Sequence, residues 1–135
     1  MKKRIVFLLA LFILTGCAEQ PAQPAQIQQT QVENVTIQIS DISPSGATLV
    51  ITDTNPEPYL YGEWYKIQRL TDGQWQDLPH VIDNAAFIAM GYLPDENGEV
   101  KFTINWEWRY GTLPAGTYRI FKEVNFQEIS IEFEI

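Results

Sequence analysis

Cysteine and histidine are almost absent from this sequence, and each shortage excludes a class of site. The one cysteine, Cys17, cannot form an internal disulfide or a cysteine-based zinc site. The one histidine, His80, rules out paired-histidine metal motifs and has no cysteine nucleophile to work with. We therefore predict no bound metal and no cofactor, and a fold that depends on its apolar core alone.

Basic residues are also scarce, with 9 Lys and Arg against 17 Asp and Glu and a formal net charge of −8. Nucleic-acid partners are excluded because phosphate binding needs a basic face. Disorder of the whole chain is excluded as well, since 45% of the residues are hydrophobic and 13% are aromatic. The length of 135 residues suits one domain.

The sequence contains no apolar run long enough to span a membrane. The longest run, Ile5–Leu14, has ten residues, which is about half of the roughly 20 that a transmembrane helix needs. Lys2, Lys3 and Arg4 precede this run. A short apolar run behind a basic start is typical of a secretory signal peptide, which we predict over residues 1–16.

The apolar run ends in Leu14, Thr15, Gly16 and Cys17. These four residues resemble the lipobox of bacterial lipoproteins. The resemblance implies that the Cys17 thiol receives a diacylglycerol and that cleavage makes Cys17 the N-terminus. Two or three acyl chains, palmitate among them, would then anchor the protein at the extracytoplasmic face of the cell membrane. Cleavage leaves six basic and seventeen acidic residues, a net charge of −11, so the lipid rather than the charge would hold the protein there.

Residues 18–31 are dominated by glutamine and proline, with six glutamines and the sequence Pro-Ala-Gln twice. Prolines favour an extended backbone, and at about 3.1 Å per residue the segment would reach roughly 40 Å. We predict that residues 17–31 comprise the lipidated cysteine and a spacer. Residues 32–135 are then the folded domain.

Alternation of apolar and polar residues predicts that this domain is built from β-strands. Two alternating rows, Val35–Ile39 and Ala47–Ile51, flank a turn signal at Pro44–Gly46. The longest row is Val100–Trp108, in which five apolar residues alternate with polar ones. Such a row implies a strand with one buried and one wet face.

Further strands are predicted over about Leu60–Leu70, Trp75–Pro79, Thr117–Val124 and Ile129–Ile135, with a hairpin turn at Asp72–Gly73. Residues 84–93 fit either a strand or a helical turn. The chain is therefore predicted to be all-β, with seven or eight short strands and no long helix. This pattern is typical of an antiparallel β-sandwich.

Two stretches of the chain resemble a bacterial immunoglobulin-like domain family found in exported proteins of Gram-positive bacteria. The first consists of Tyr61, Gly62, Tyr65, Ile67, Leu70, Asp72, Gly73 and Trp75, and the second of Trp108, Tyr110, Gly111, Leu113, Pro114, Gly116, Tyr118, Arg119, Ile120 and Lys122. The resemblance covers about residues 35–124 and implies an immunoglobulin-like sandwich. It implies no catalytic residues, and it favours the outer face of a single-membrane cell.

One tyrosine is placed as in the tyrosine corner of such sandwiches. In that motif a tyrosine near the start of the sixth strand bonds to the backbone just upstream. Leu113 and Pro114 form the corner, and Tyr118 follows at the right distance for the bond. The cysteine pair of antibody-type domains is absent, so only the architecture carries over.

Four tryptophans provide candidate recognition residues, because exposed rings stack on sugars or anchor protein partners. Trp64 is out of phase with its neighbours Tyr65 and Ile67, which makes it the best candidate for exposure. We name Trp64 and Trp75 as the candidate surface recognition residues. Trp106 is predicted to pack in the core, where a fold without disulfides needs large apolar area.

The charged residues offer weaker candidates. Glu63 and Glu107 both adjoin tryptophans and either perform acid–base chemistry or lie on wet strand faces. Asp95–Glu99 offers either oxygen ligands for calcium or a plain hairpin turn. The basic residues beyond the signal are predicted to be cross-strand partners and edge protection; they are Lys66, Arg69, Lys101, Arg109, Arg119 and Lys122.

These observations favour a lipid-anchored cell-envelope protein whose single domain is a non-enzymatic binding or interaction module. Its predicted partners are the membrane, through Cys17, and an envelope protein or glycan. One alternative is an inhibitor that inserts residues 80–98 into a protease or hydrolase cleft. A carbohydrate-binding module, which requires that Trp64 and Trp75 share an exposed plane, and a hydrolase are the remaining alternatives.

Overall fold

The structure is a computed structural model and describes residues 31–135. In chain order its elements are β1 (Val35–Ser43), β2 (Gly46–Asp53), β3 (Tyr61–Gly62), β4 (Lys66–Thr71), β5 (Gln74–Asp77), β6 (Gly91–Tyr92), β7 (Glu99–Asn105), α1 (Glu107–Tyr110), β8 (Thr117–Val124) and β9 (Gln127–Glu134). The prediction of an all-β chain with antiparallel sheets is confirmed. Residues 31–135 form nine strands where seven or eight were predicted, and two of the nine, β3 and β6, have only two residues each.

Two main sheets enclose the core. One has the order β1-β2-β7 and the other the order β5-β4-β8-β9, while β3 and β6 pair with each other in a third sheet. The alternating rows of the sequence supply the first sheet, where Ile37 lies opposite Ile51 and Ile39 opposite Leu49. The hairpin at Asp72–Gly73 connects β4 and β5, and both of its residues have positive φ, as a type I′ turn requires.

Stacked aromatic rings fill one end of the core. The ring of Phe133 lies 5.4 Å from that of Trp106 and 5.6 Å from that of Tyr118. The polar atoms of both partners are paired: Trp106 Nε1 donates to Pro44 O at 2.9 Å, and Tyr118 Oη donates to Pro114 O at 2.6 Å. The second bond has the geometry of a tyrosine corner.

Asp53 fixes the chain where it leaves β2. Its side chain is 2% exposed and accepts bonds from Tyr61 Oη, from the backbone N–H groups of Tyr59 and Asn55, and from Asn55 Nδ2. Burial acts to raise the pKa of Asp53, but these hydrogen bonds outweigh it and hold the pKa below its usual value. The carboxylate therefore stays ionised and ties β3 to the end of the first sheet.

The predicted strand Leu60–Leu70 is divided in the structure. Its first part, β3, pairs with β6, whereas its second part, β4, pairs with β5 and β8. The residues between them, Glu63–Tyr65, belong to no ladder. The division arises because the two halves bond to different sheets, which a continuous apolar alternation does not reveal.

The predicted strand Val100–Trp108 is too long by three residues. Strand β7 ends at Asn105, whose side-chain Oδ1 accepts the backbone N–H of Glu107 at 3.0 Å, and the chain then forms α1. Trp106 remains in the core at 0% exposure, but Trp108 lies outside the ladder and is 39% exposed. Trp108 matches the period of two in the sequence by chance, because it does not belong to the strand.

Lys122 corrects the prediction that the basic residues are surface partners. It is 0% exposed, its Nζ donates to Gly62 O at 2.5 Å, and the same atom lies 3.8 Å from the centre of the Phe102 ring. Burial lowers the pKa of Lys122 to about 8, against a smaller opposing effect of Glu63. Because strand β8 points every second residue inward, a lysine in this phase has to enter the core.

We predict that Lys122 makes stability rise between pH 7.5 and 9.5. Between about pH 8 and 10.5, that is, between the pKa of Lys122 in the fold and the ordinary pKa of a lysine, the folded state binds fewer protons than the unfolded state, so stability rises with pH there. The rise is about 2 kcal/mol, because one pKa unit corresponds to about 1.4 kcal/mol. Urea unfolding of residues 31–135 at several pH values measures it. Lys122→Met is expected to give a flat profile over this range, and an equal slope in the variant would contradict the assignment.

Candidate functional site

Large apolar side chains are exposed mainly along one flank of the sandwich. Those on the segment 81–93 or in contact with it are Leu60, Val81, Ile82, Ile88, Met90, Leu93 and Trp108, with exposures of 39 to 66%. We call this set the apolar flank. Leu60 belongs to it because its side chain lies over Gly91, and Trp108 because its ring lies 5.7 Å from that of Phe87. Large exposed apolar surfaces mark interaction sites in most proteins.

Arg109 attaches the segment 80–90 to the domain. Its Nη1 donates to Ala85 O at 3.0 Å, and its backbone O accepts the N–H of Val81 at 2.8 Å. Arg109 is 9% exposed, and its guanidinium lies 4.6 Å from the Phe87 ring centre and 5.7 Å from that of Tyr110. Buried Nε has no hydrogen-bond partner within residues 31–135. Cation–π contacts with these two rings therefore provide much of the stabilisation of the buried guanidinium charge.

A groove runs between the end of β7 and the segment 86–88. Its volume is about 310 Å³, at the lower end of the range for ligand sites. Its lining residues are Glu63, Tyr65, Ala86, Phe87, Ile88, Thr103, Ile104, Asn105 and Trp108. Tyr65, which is 4% exposed, lines the groove from the inside, with its ring 5.0 Å from that of Phe87 and its Oη 3.2 Å from Asn105 O. Burial raises the pKa of Tyr65 to about 12, so its hydroxyl remains a donor. We call this feature the β7 groove.

A second recess lies on the other side of Tyr65. It has a volume of about 430 Å³, and Trp64, Leu78, His80 and Tyr110 are among its lining residues. The ring of His80 lies 5.4 Å from that of Tyr110 in an edge-on arrangement. His80 thus packs against an aromatic ring at the mouth of the recess.

Comparison with known families shows to which family the chain belongs. A family model described as a bacterial Ig-like domain matches residues 31–134. The chain belongs to this bacterial Ig-like domain family. Comparisons with curated proteins and with solved structures gave no match. The Ig-like domain thus covers all nine strands described above.

The Ig-like domain does not bring the two predicted recognition residues together. Trp75 lies opposite Leu70 near the β4–β5 turn, and its ring is covered by the guanidinium of Arg119 at 4.5 Å. Trp64 lines the recess at the open end of that hairpin, next to Leu78. Both tryptophans are half-buried, whereas Trp108 is the most exposed of the four. The expectation that Trp64 is the most exposed tryptophan is therefore wrong.

The predicted carboxylate candidates bond locally in the Ig-like domain. Glu63 accepts the hydroxyl of Tyr92 at 2.6 Å, and Glu107 accepts that of Thr112 at 3.1 Å. Asp95 Oδ1 accepts the backbone N–H groups of Asn97 and Glu99, so it closes its own turn. Within residues 31–135, no group of three His, Cys, Asp or Glu residues is arranged to hold a metal ion.

The predicted lipid attachment site lies outside the described residues. This applies to Leu14, Thr15, Gly16 and Cys17, and to the spacer up to residue 30. In the part of the chain that the structure describes, no helix is long and apolar enough to cross a membrane.

Sequence reasoning missed Trp108, Arg109 and Ile88 as site residues. Arg109 follows the alternating row Val100–Trp108 in the phase of its polar residues, which predicted an exposed side chain. Its contact with Ala85 joins residues 24 positions apart. One signal was available in the sequence. The segment 81–93 is rich in apolar residues without a period of two, which is unusual for a surface loop.

We predict that Arg109→Ala releases the segment 80–90. The variant loses a bond from a charged donor, at a cost of about 2 kcal/mol, and also the ring contacts. Chymotrypsin cleavage after Phe87, followed by mass spectrometry, is expected to be faster than in the wild type. Arg69→Ala is the matched control, because Arg69 Nη2 donates to Ala115 O at 3.1 Å in a different corner of the domain. Equal cleavage in the two variants would contradict this role of Arg109.

Proposed function

We propose that this protein is a lipid-anchored, non-enzymatic protein-binding module of the cell envelope, and that the apolar flank is its binding surface. Ig-like domains of this family are generally non-enzymatic, which supports an interaction role. The observation that carries the proposal is the concentration of exposed apolar side chains on one flank. Of ten large hydrophobic residues exposed in residues 31–135, seven belong to the apolar flank.

The placement of the apolar flank supports this role. Strand β1 starts four residues after the end of the predicted spacer and runs for nine residues, or about 30 Å. At its far end, Trp106 N donates to Ser45 O and Leu113 N donates to Pro44 O. The turn α1, with Trp108 and Arg109, therefore lies at the end of β1 that is farther from the predicted spacer, which favours access of a partner to Trp108. Leu60 lies nearer the start of β1, because its neighbours Tyr59 and Tyr61 bond to Asp53, which pairs with Val35.

The charge of the domain indicates the kind of partner. With Lys2, Lys3, Arg4 and Glu19 outside the described residues, six basic and sixteen acidic residues remain, a net charge of −10. Apolar centres with charged rims are typical of protein–protein interfaces. A polypeptide partner with a basic surface fits this arrangement best, because opposite charge speeds encounter and suppresses wrong partners.

The alternative functions receive less support. The segment 80–98, which the inhibitor alternative inserts into a cleft, is tied to the domain at Val81 and Ala85 through Arg109. The guanidinium of Arg119 lies 4.5 Å from the centre of the Trp75 ring and covers one of its faces, which weakens the case for Trp75 as a sugar-stacking ring. Glu63 and Glu107 each accept a bond from a nearby hydroxyl, and of the two only Glu63 lines the β7 groove.

We predict that Cys17 carries the lipid. Cells supplied with an alkyne fatty acid are expected to label the wild-type chain, because the diacylglycerol thioether forms at the cysteine of a lipobox. Cys17→Ser removes the only thiol in the chain and is expected to abolish the label. In-gel fluorescence after click coupling reads the result, and a variant that keeps its label would contradict lipid attachment at Cys17.

We predict that the apolar flank contacts a protein partner in the cell. A photo-crosslinking phenylalanine analogue at Ile88 is expected to give one discrete adduct on illumination. The matched control places the same analogue at Phe126, which is 94% exposed in the β8–β9 turn. Equal adduct patterns at the two positions, or none at Ile88, would contradict the proposal.

A further inference from the structure

We propose that the β7 groove binds an extended polypeptide segment of a basic partner protein, which adds as a strand to the outer edge of β7. This inference rests on the proposed function, because it states how the partner is held. It follows from the hydrogen-bond phase of β7, from the unpaired backbone groups along its edge, and from the shape and charge of the groove.

The phase of the β2–β7 ladder follows from the bonds at its two ends. Asp53 N donates to Gly98 O at 2.8 Å, and Trp106 N donates to Ser45 O at 3.0 Å. In an antiparallel pair only every second residue exchanges bonds with a given neighbour. Both bonds belong to the phase that contains the pairs Ile51–Val100, Leu49–Phe102 and Ala47–Ile104. The other residues of β7 therefore direct their backbone groups away from β2.

Two contacts outside the ladder agree with this phase. Glu99 O accepts the N–H of Asp95 at 2.9 Å, and Asn105 O accepts the hydroxyl of Tyr65 at 3.2 Å. These two residues lie at the ends of β7. Between them, the N–H and C=O groups of Lys101 and Thr103 have no partner within residues 31–135, and neither does the N–H of Asn105. Such an edge is a template for another strand.

The β7 groove lies along the part of this edge formed by residues 103–105. Thr103, Ile104 and Asn105 form one side, and the segment 86–88 with Trp108 forms the other. A strand in the groove would bond to Thr103 and Lys101 through its backbone. Its alternate side chains would meet Tyr65 and Trp108, since successive side chains of a strand point to opposite faces.

These features favour a polypeptide over a lipid. The outward backbone groups repeat every second residue, at a spacing of about 7 Å, which is the repeat of an extended backbone. An acyl chain offers no hydrogen-bonding groups to match them. Main-chain bonds supply affinity in strand addition, and pockets for alternate side chains supply specificity.

Charge around the groove selects a basic segment. Glu63 lines the groove, and Glu107 directly precedes Trp108. Lys101 is the one basic residue on β7, and the domain as a whole carries −10 within residues 31–135. Lysine or arginine residues at the ends of the incoming strand would complement this negative charge, and salt would weaken the complex.

The first test uses synthetic peptides and the full chain reconstituted in lipid nanodiscs. The probe is an array of short peptides that alternate valine or isoleucine with threonine and carry lysine at both ends. We expect binding that weakens with salt, and no binding of the same peptides with aspartate at the ends. The peptide that binds best is then made in two methylated forms. Each form carries methyl groups on alternate backbone nitrogens, and the two forms differ by a shift of one residue.

Strand addition predicts that only one of the two methylated peptides loses binding. In a strand, every second N–H faces β7 and the others face away, and each lost bond weakens binding about three- to tenfold. Equal loss in both phases would overturn strand addition while leaving side-chain binding, and thus the proposed function, intact. If no peptide of the array binds and Ile88 gives no adduct in cells, the proposed function fails as well.

A protein variant tests the same bond from the other side. Thr103→Pro removes an N–H that no strand within residues 31–135 uses, and proline is tolerated at strand edges. It is expected to weaken peptide binding about tenfold more than Thr103→Val, which keeps the N–H. Comparable loss in the two variants would overturn the proposal. If Thr103→Pro fails to fold, as shown by tryptophan fluorescence, the two methylated peptides decide the question on the unaltered chain.

Discussion

One main sheet has three strands and the other has four. The smaller sheet therefore ends one strand earlier, at the outer edge of β7. Val100, Phe102 and Ile104 must point inward to complete the core, which fixes the phase of the strand. The same phase directs the backbone groups of Lys101 and Thr103 away from the sheet. The segment 86–92 runs alongside, but only Gly91 and Tyr92 form a ladder, and they pair with β3 rather than with β7. The groove and its unpaired edge are consequences of this one constraint.

Arg109 fixes the segment that forms the other side of the β7 groove. The buried guanidinium of Arg109 holds the backbone at Ala85, and the backbone O of the same residue accepts the N–H of Val81. The apolar residues that follow are therefore presented from an attached segment rather than from a loose one. Tyr65 lies beneath and bonds to the last residue of β7. Exposure of Ile88 and Trp108 costs the isolated domain the free energy that burial would gain, about 25 cal/mol per Å². Such a cost is expected where a partner covers the surface.

The sequence predicted much of the fold and little of the candidate site. Alternation located β1, β2, β8 and β9, because one-sided burial leaves a period of two in any strand. It misplaced the end of β7, since Trp108 continues the period by chance after the ladder has stopped at Asn105. It also assigned Arg109 and Lys122 to the surface, because polarity alone does not reveal that rings from distant parts of the chain surround them. The contacts that build the site join residues more than 20 positions apart, such as Arg109 with Ala85 and Tyr65 with Asn105.

Amide hydrogen exchange along β7 tests the central claim most directly. In the free chain, the amides of Phe102 and Ile104 are bonded to β2 and are expected to exchange slowly. The amides of Lys101 and Thr103, which point away from β2, are expected to exchange as fast as those of an open loop. Alternating protection of this kind would show an edge that is free to receive a strand. Slow exchange at Thr103 and Lys101 as well would show that the chain itself or a second copy already covers the edge, and would contradict the account.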